Sequence, residues 1–254
     1  MKMKSLAVIL AVIAAPVAAQ DVKIGIASEA YPPFTSPDAA GNWVGWEVDI
    51  INAICAAAEM NCVITPTAWD GIIPALTAGQ IDAIMASMSI TEERMKTIDF
   101  SDKYYQAPAT IVGAKGAAVP PTPEGLAGKI IGVQVSTTHE AYVNKHFAAT
   151  AAEIKTYQTQ DEVNQDLVAG RIDVLQADSI ATDAFLASEA GAACCESFGS
   201  AAPDPEVLGR GVGVGLRKGD PLKEKFNAAI KKVREDGTYD EITAKYFTSS
   251  IYGD

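Results

Sequence analysis

The sequence predicts an α/β protein built from two similar lobes, and three observations carry that prediction. Strand-like and helix-like segments alternate along the chain, which argues for α/β architecture. The order strand, helix, strand, helix, strand occurs twice. The phrases Ala78-Gly79-Gln80-Ile81-Asp82 and Ala169-Gly170-Arg171-Ile172-Asp173 are near copies at corresponding places in the two runs.

The first run opens with a strand over Val22–Ala27, followed by a loop at Tyr31-Pro32-Pro33-Phe34. Residues 49–59 carry Ile50, Ile51, Ile54 and Ala58 at helical spacing. Residues 62–66 read as a strand. Asp70 can cap a short helix through Ala78, with Pro74 near its first turn, where proline is tolerated. The apolar run at 81–86 predicts a third strand.

The second run repeats the pattern with a strand over 129–135, a helix over 137–147 and a strand over 154–157. A helix over 161–169, again opened by an aspartate, precedes a strand over 172–177. Residues 106–113 and roughly 207–215 read as extended connections between the lobes. The latter holds Gly209-Arg210-Gly211-Val212-Gly213-Val214-Gly215. That run lacks G-x-G-x-x-G spacing and a P-loop lysine, so it reads as hinge or strand rather than phosphate loop. Residues 222–232 and 240–247 are helical and return to the first lobe. The expected division is residues 20–108 with 207–254 as lobe 1 and 109–206 as lobe 2.

The N-terminus reads as a secretory signal peptide. Met1-Lys2-Met3-Lys4 is basic, an apolar run follows from Leu6 to Ala15, and Pro16-Val17-Ala18-Ala19 supplies a small-residue cleavage site after Ala19. The apolar run is too short to span a bilayer, and no later segment approaches the ~20 apolar residues a span requires. An exported product is expected, and its ~235 residues suit one large domain or two modest ones. Loss of Lys2 and Lys4 takes the formal net charge from −12 to −14. Such a balance argues against nucleic acid or an anionic membrane as partner.

The cysteines fall into two kinds. Cys55 and Cys62 straddle a helix end and a strand start, a spacing that can close a disulfide in an oxidising compartment. Cys194-Cys195 are adjacent in a Gly/Ala-rich loop and can bridge each other, stay reduced or link molecules. Two histidines, His139 and His146, and the lack of a CxxC pair argue against a metal site.

In open α/β sheets, ligands bind outside the carboxyl ends of the strands. Glu29 and Tyr31 follow the first strand, and Ser87, Ser89 and Arg94 follow the third. Thr137 and Thr138 open the second lobe's first helix, and Asp178 follows its last strand. In Ser87-Met88-Ser89-Ile90-Thr91-Glu92-Glu93-Arg94, either Ser89 or Thr91 can cap a helix, and Ser89 with Glu92 has capping-box spacing. Thr137 with Glu140 has it too. Helix-start amides, hydroxyls and a guanidinium converging on one spot make a carboxylate site. A capped helix with a solvated arginine is the plainer reading, and Asp178 can be an ordinary helix cap.

The chain resembles the type II periplasmic solute-binding proteins of polar amino-acid ABC transporters, nearly end to end. Gly45-Trp46-Glu47-Val48-Asp49-Ile50 is similar to the family signature, with Trp46 where phenylalanine or tyrosine is more usual and only a packing change expected. Trp69-Asp70-Gly71-Ile72-Ile73-Pro74-Ala75-Leu76, the segment ending in Arg94, and Asp236-Gly237-Thr238-Tyr239 are also similar. The resemblance implies a Venus-flytrap fold with two crossover strands as hinge. It implies that Arg94 pairs with a ligand α-carboxylate, aided by the amides of Ser89 and Thr138. Asp178 would accept from the α-ammonium, with the Ser87 carbonyl and the Ser89 hydroxyl. Tyr31 and Trp69 would cover the side-chain pocket, with Met88, Gln134 and Thr137 in the same ligand-binding set. Glu29 matches an acidic position of relatives that bind cationic side chains. Cys55 and Cys62 match a disulfide of lysine/arginine/ornithine- and histidine-binding relatives. The loop before Thr137 more often carries glycine than Val135-Ser136, so a different backbone approach is expected there.

Glu29 beside two aromatic residues favours arginine, lysine, ornithine, histidine or an opine, because aromatic faces attract cations. With Glu29 as a solvated loop acid, glutamine or another neutral amino acid would be the ligand. The implied partner is a membrane permease, with the receptor itself monomeric and without cofactor. Some relatives are dehydratases, but no nucleophile–base pair is evident, and both histidines fall on one helix. No enzyme activity is expected.

Overall fold

A computed structural model describes residues 21–117 and 119–253. The predicted signal peptide lies outside the described residues. The chain begins with β1 (Val22–Ala27), a short hairpin of β2 (Ser36–Pro37) and β3 (Trp43–Val44), and α1 (Trp46–Ala57). It continues through β4 (Cys62–Thr67), a 3-10 turn at Trp69–Gly71, α2 (Ile72–Thr77), β5 (Ala83–Ile84), α3 (Glu92–Met95) and β6 (Asp99–Tyr105). A second group holds β7 (Ala109–Ala114), β8 (Ile130–Gln134), α4 (Thr138–His146), β9 (Glu153–Tyr157), α5 (Gln160–Val168) and β10 (Val174–Asp178). It closes with α6 (Ser179–Ala187), α7 (Glu189–Cys194), β11 (Cys195–Ser200) and α8 (Pro205–Leu208). The chain then returns as β12 (Val212–Leu216), α9 (Leu222–Glu235) and α10 (Thr238–Thr243).

These strands form two five-stranded sheets, ordered β4-β1-β5-β12-β6 and β11-β7-β10-β8-β9. In each sheet three strands run parallel, and strands from the connecting passages pair antiparallel. Each sheet is covered on both faces, as the nearly continuous apolar character of its central strands requires. In the first, Ile24, Ile26 and Val214 pack with Ile50, Ile54, Phe226 and Ile230, while Ile84 and Phe100 meet Ile72 and Leu76 on the other face. In the second, Val133 and Val174 pack with Tyr142 and Phe147, and Leu175 and Val112 with Val163 and Leu167. Each such fully buried aliphatic side chain contributes about 1.5–3 kcal/mol relative to exposure.

The parallel strands set the site. The carboxyl ends of β1, β5 and β8 lead into the loops that carry Glu29, Ser87 and Ser136, and β10 ends on Asp178 itself. The first connection between sheets is short, residues 106–108. The second contains the turn of α8, where an extended chain is expected from sequence. Asp204 accounts for the difference: its carboxylate accepts from the amide of Val207 (3.3 Å) and starts a helix with Pro205 in its first turn.

Other boundaries shift for local reasons. The third strand pairs only at Ala83–Ile84, although the Asp82 and Met85 amides still reach the carbonyls of Lys23 and Gly25. Asp161 does not open α5, because Thr159 does so with Glu162 in a full capping box. Asp70 lies inside the 3-10 turn, and Gly71 holds the N-cap position of α2. α1 starts earlier than its apolar pattern suggests, at Trp46. Gly45 makes that start possible with φ 130°, and a Cβ there would lie 2.3 Å from the carbonyl oxygen of Phe34. Trp46 does more than fill space, since its indole N–H donates to Thr243 Oγ1 (3.1 Å) and ties α1 to α10.

Cys55 and Cys62 are disulfide-bonded, with Cα atoms 6.1 Å apart, joining the end of α1 to the start of β4. Cys194 and Cys195 bridge each other where α7 turns into β11, a helix–strand junction rather than the expected loop.

Candidate functional site

A cavity of about 610 Å³, counting its open mouth, lies between the two sheets. Its walls include Glu29, Tyr31, Trp69, Ser87, Ser89 and Arg94 from around the first sheet. Gln134, Thr137, Thr138 and Asp178 come from around the second. Met88 does not join them. Alternation along the extended chain turns its side chain into the core with Ile72, Leu76 and Ile98, where it is 1% exposed.

The segment carrying Ser87 to Arg94 is shaped by its neighbours. Thr91, not Ser89, caps α3 by accepting from the amide of Arg94 (3.2 Å). Ser89 is held instead in a β-bridge with Val212. The amide of Ile90 donates to Gly211 O (2.8 Å), so the glycine-rich run forms a support for this loop. A Cβ at Gly209 would lie 2.5 Å from the Ile90 carbonyl oxygen, at a φ of +84°. The glycines therefore serve close backbone packing, with no phosphate loop involved.

Arg94 turns back across the cleft. Its Nη1 donates to Ser89 O (2.9 Å) and its Nη2 to Ser136 O (3.4 Å), and its guanidinium stands 5.5 Å from the Trp69 ring centre. Burial lowers its pKa to about 10, partly opposed by Asp178, so it remains a cation at neutral pH. It is not the solvated arginine of the plainer reading.

Asp178 occupies the N-cap position of α6 yet makes no side-chain cap bond. Its carboxylate faces the cleft instead, where it accepts from Tyr31 Oη (2.9 Å) and lies 3.4 Å from His139 Nε2. Burial and then Asp178 hold the Tyr31 phenol well above its ordinary pKa, so it stays a donor.

The α4 start divides its labour. Thr137 Oγ1 caps the helix by accepting from Glu140 N (3.1 Å) and donates to Gln134 O (2.7 Å). The second half of the expected capping box moves one residue, because Glu140 accepts from the amide of Ser136 (2.6 Å). Ser136 itself adopts φ +60° where glycine is more usual, and that turn presents its carbonyl to Arg94. Thr138 begins the helix, and its amide points to no acceptor among the described residues. Gln134 donates through Nε2 to Gln158 O (3.0 Å).

Glu29 accepts from Ser28 Oγ (2.7 Å) and from the amide of Trp69 (3.1 Å), which ties the first loop to the aromatic wall. Glu47, His139, Gln160 and Thr35 also line the cavity and were not predicted as site residues. Glu47 stood in the quoted signature but was read there as pattern. His139 directly follows Thr138 in the sequence and has no role assigned to it there.

Arranged this way, the cavity offers a cation from one sheet and a carboxylate from the other, each aimed at a shared space. Residues 22–249 match the bacterial extracellular solute-binding proteins, family 3. The chain belongs to that family. It is 41% identical over 237 residues to the lysine/arginine/ornithine-binding periplasmic protein of Escherichia coli K12, covering 92% of this chain and 90% of that one. It is also 41% identical over 259 residues to the L-arginine-binding protein of Pseudomonas aeruginosa PAO1, covering 99% of each. An ancestral arginine-binding protein bound to arginine superposes with a TM-score of 0.79 at 35% identity, covering 89% of this chain and 98% of that one. The two-lobed α/β fold of these family 3 solute-binding proteins is the fold expected from the sequence.

Proposed function

We propose that this protein binds an L-amino acid with a basic side chain between two closing lobes and delivers it to the permease of an ABC importer. The lobes are taken as residues 20–108 with 207–254 and residues 109–206, and the receptor acts as an exported monomer without catalysis. The observation that carries the reading is the pair Arg94 and Asp178, set on opposite walls of one cavity. A zwitterion needs a cation at one end and an anion at the other, and the two groups sit on different sheets. Ligand therefore makes contacts in the closed state that it lacks in the open one, as a ligand-driven switch requires.

In this reading Arg94 holds the α-carboxylate with the amides of Ser89 and Thr138, which have no acceptor among the described residues. Asp178 takes the α-ammonium with Ser87. Glu29, Tyr31 and Trp69 receive the side chain, and Gln134 and Thr137 shape the second wall. The names of the lysine/arginine/ornithine- and arginine-binding relatives support a basic ligand. Arginine, lysine, ornithine, histidine and an opine are the candidates.

The test is a melting-temperature and tryptophan-fluorescence panel over L-amino acids. Basic amino acids should raise the midpoint, and at about a hundredfold excess over Kd the stabilisation is about 2.7 kcal/mol. A shift with glutamine or other neutral ligands and none with basic ones overturns the cationic assignment.

A further inference from the structure

Beneath the amino end of the site lies a buried carboxylate to which the reading above gives no role. Glu47 is 1% exposed and is the second residue of α1, where the positive end of a helix favours an anion. Its Oε1 accepts from the amide of Ser87 (2.8 Å), its Oε2 accepts from Ser87 Oγ (3.2 Å), and Tyr104 Oη donates to Oε1. Both carboxylate oxygens are thus committed to protein donors, and two of those three bonds go to one residue.

That residue is conformationally unusual. Ser87 has φ +55°, a left-handed backbone that side chains bearing a Cβ rarely adopt and that persists only where surroundings enforce it. Glu47 binds its amide and its hydroxyl, and no described residue donates to its carbonyl. Ser87 also lines the cavity. A residue forced into a strained turn, with two polar groups tethered and its carbonyl left without a protein partner, is a prearranged acceptor.

We infer that Glu47 is a positioning residue for ligand binding: it clamps Ser87 in the left-handed conformation and thereby fixes the Ser87 carbonyl as an acceptor for the ligand ammonium. The inference rests on the amino-acid reading of the site. Glu47 reaches the cavity wall, but both its oxygens are engaged by Ser87 and Tyr104, so it works through Ser87.

The mechanism separates from a merely structural role through glycine, which takes positive φ without penalty. Arginine affinity is measured by calorimetry, and stability by thermal unfolding, for four variants. Glu47→Ala should weaken L-arginine binding by about tenfold or more. Glu47→Gln keeps an oxygen for the Ser87 amide and should bind within about threefold of the unaltered protein. Glu47→Ala/Ser87→Gly should recover affinity to that of Ser87→Gly alone while keeping the lowered melting temperature of Glu47→Ala. If Glu47→Ala does not fold, Glu47→Gln decides the matter: binding within about threefold supports the inference, and a folded Glu47→Gln variant that binds about tenfold or more weakly overturns it. A double variant that binds much more weakly than Ser87→Gly overturns the inference, as does a Glu47→Gln variant as impaired as Glu47→Ala. If the unaltered protein binds no L-amino acid, the amino-acid reading itself has failed.

Discussion

At the residue scale, the site depends on charges held in place by groups that have no other use for them. Arg94 spends one nitrogen on Ser89 O and another on Ser136 O, which fixes the fork and links the two walls. Substituting Arg94→Ala removes the cationic partner proposed for the ligand carboxylate and leaves only the amides of Ser89 and Thr138 to meet it. Removing one member of a desolvated charge pair costs about 3–5 kcal/mol, a factor of roughly 10² to 4 × 10³ in Kd. Calorimetric titration with L-arginine should show that loss, and retention of near-normal affinity would mean the carboxylate end lies elsewhere. Arg94→Lys should recover little of the loss, because an ammonium cannot reproduce the planar fork.

At the element scale, strands and helices are placed by burial, and their ends by a few side-chain bonds. The disulfide from Cys55 to Cys62 pins the end of α1 to the edge strand β4, next to the β1 strand that leads into Glu29. A short loop closed this way contributes about 2–3 kcal/mol in the chain-entropy picture. The variant Cys55→Ser/Cys62→Ser should therefore unfold at lower temperature and lower denaturant concentration, with arginine affinity little changed in the folded protein. A double variant as stable as the parent would show that the bridge is dispensable to the lobe. Loop ends follow the same logic, since Thr91, Thr137 and Thr159 each accept from an amide three residues on.

At the scale of the whole molecule, two three-layer units share a cleft and two connections. Tyr31 Oη to Asp178 and Arg94 to Ser136 O already cross that cleft. A ligand joining both walls adds differential contacts to the closed arrangement and shifts the population towards it. In small-angle scattering the radius of gyration should fall on adding L-arginine. Arg94→Ala under the same ligand concentration should leave it unchanged. A ligand-independent radius in a protein that binds arginine would argue against closure.

Much of this was legible in the sequence because it is written locally. The apolar periods marked most strands and helices, the twin Ala-Gly-x-Ile-Asp phrases marked two related units, and strand ends marked Glu29, Ser87 and Asp178. Of the two caps the sequence offers for α3, Thr91 serves, and the choice against Ser89 is not legible because its bridge partner, Val212, is far along the chain. Met88 was misassigned because the direction of a side chain depends on which strand supports it. Glu47 lies in the signature segment and His139 follows Thr138, yet their roles are not legible, since they exist only where α1 meets the Ser87 turn and α4 meets Asp178. By itself the sequence determined the alternating architecture, the positions of the polar strand ends and the spacing of the cysteines, all set by short-range periodicity and backbone preference. Only the tertiary structure decided that Asp178 leaves its helix uncapped to face the cleft, and that Arg94 crosses to Ser136. Those outcomes follow from contacts between distant segments, whose geometry no local pattern encodes.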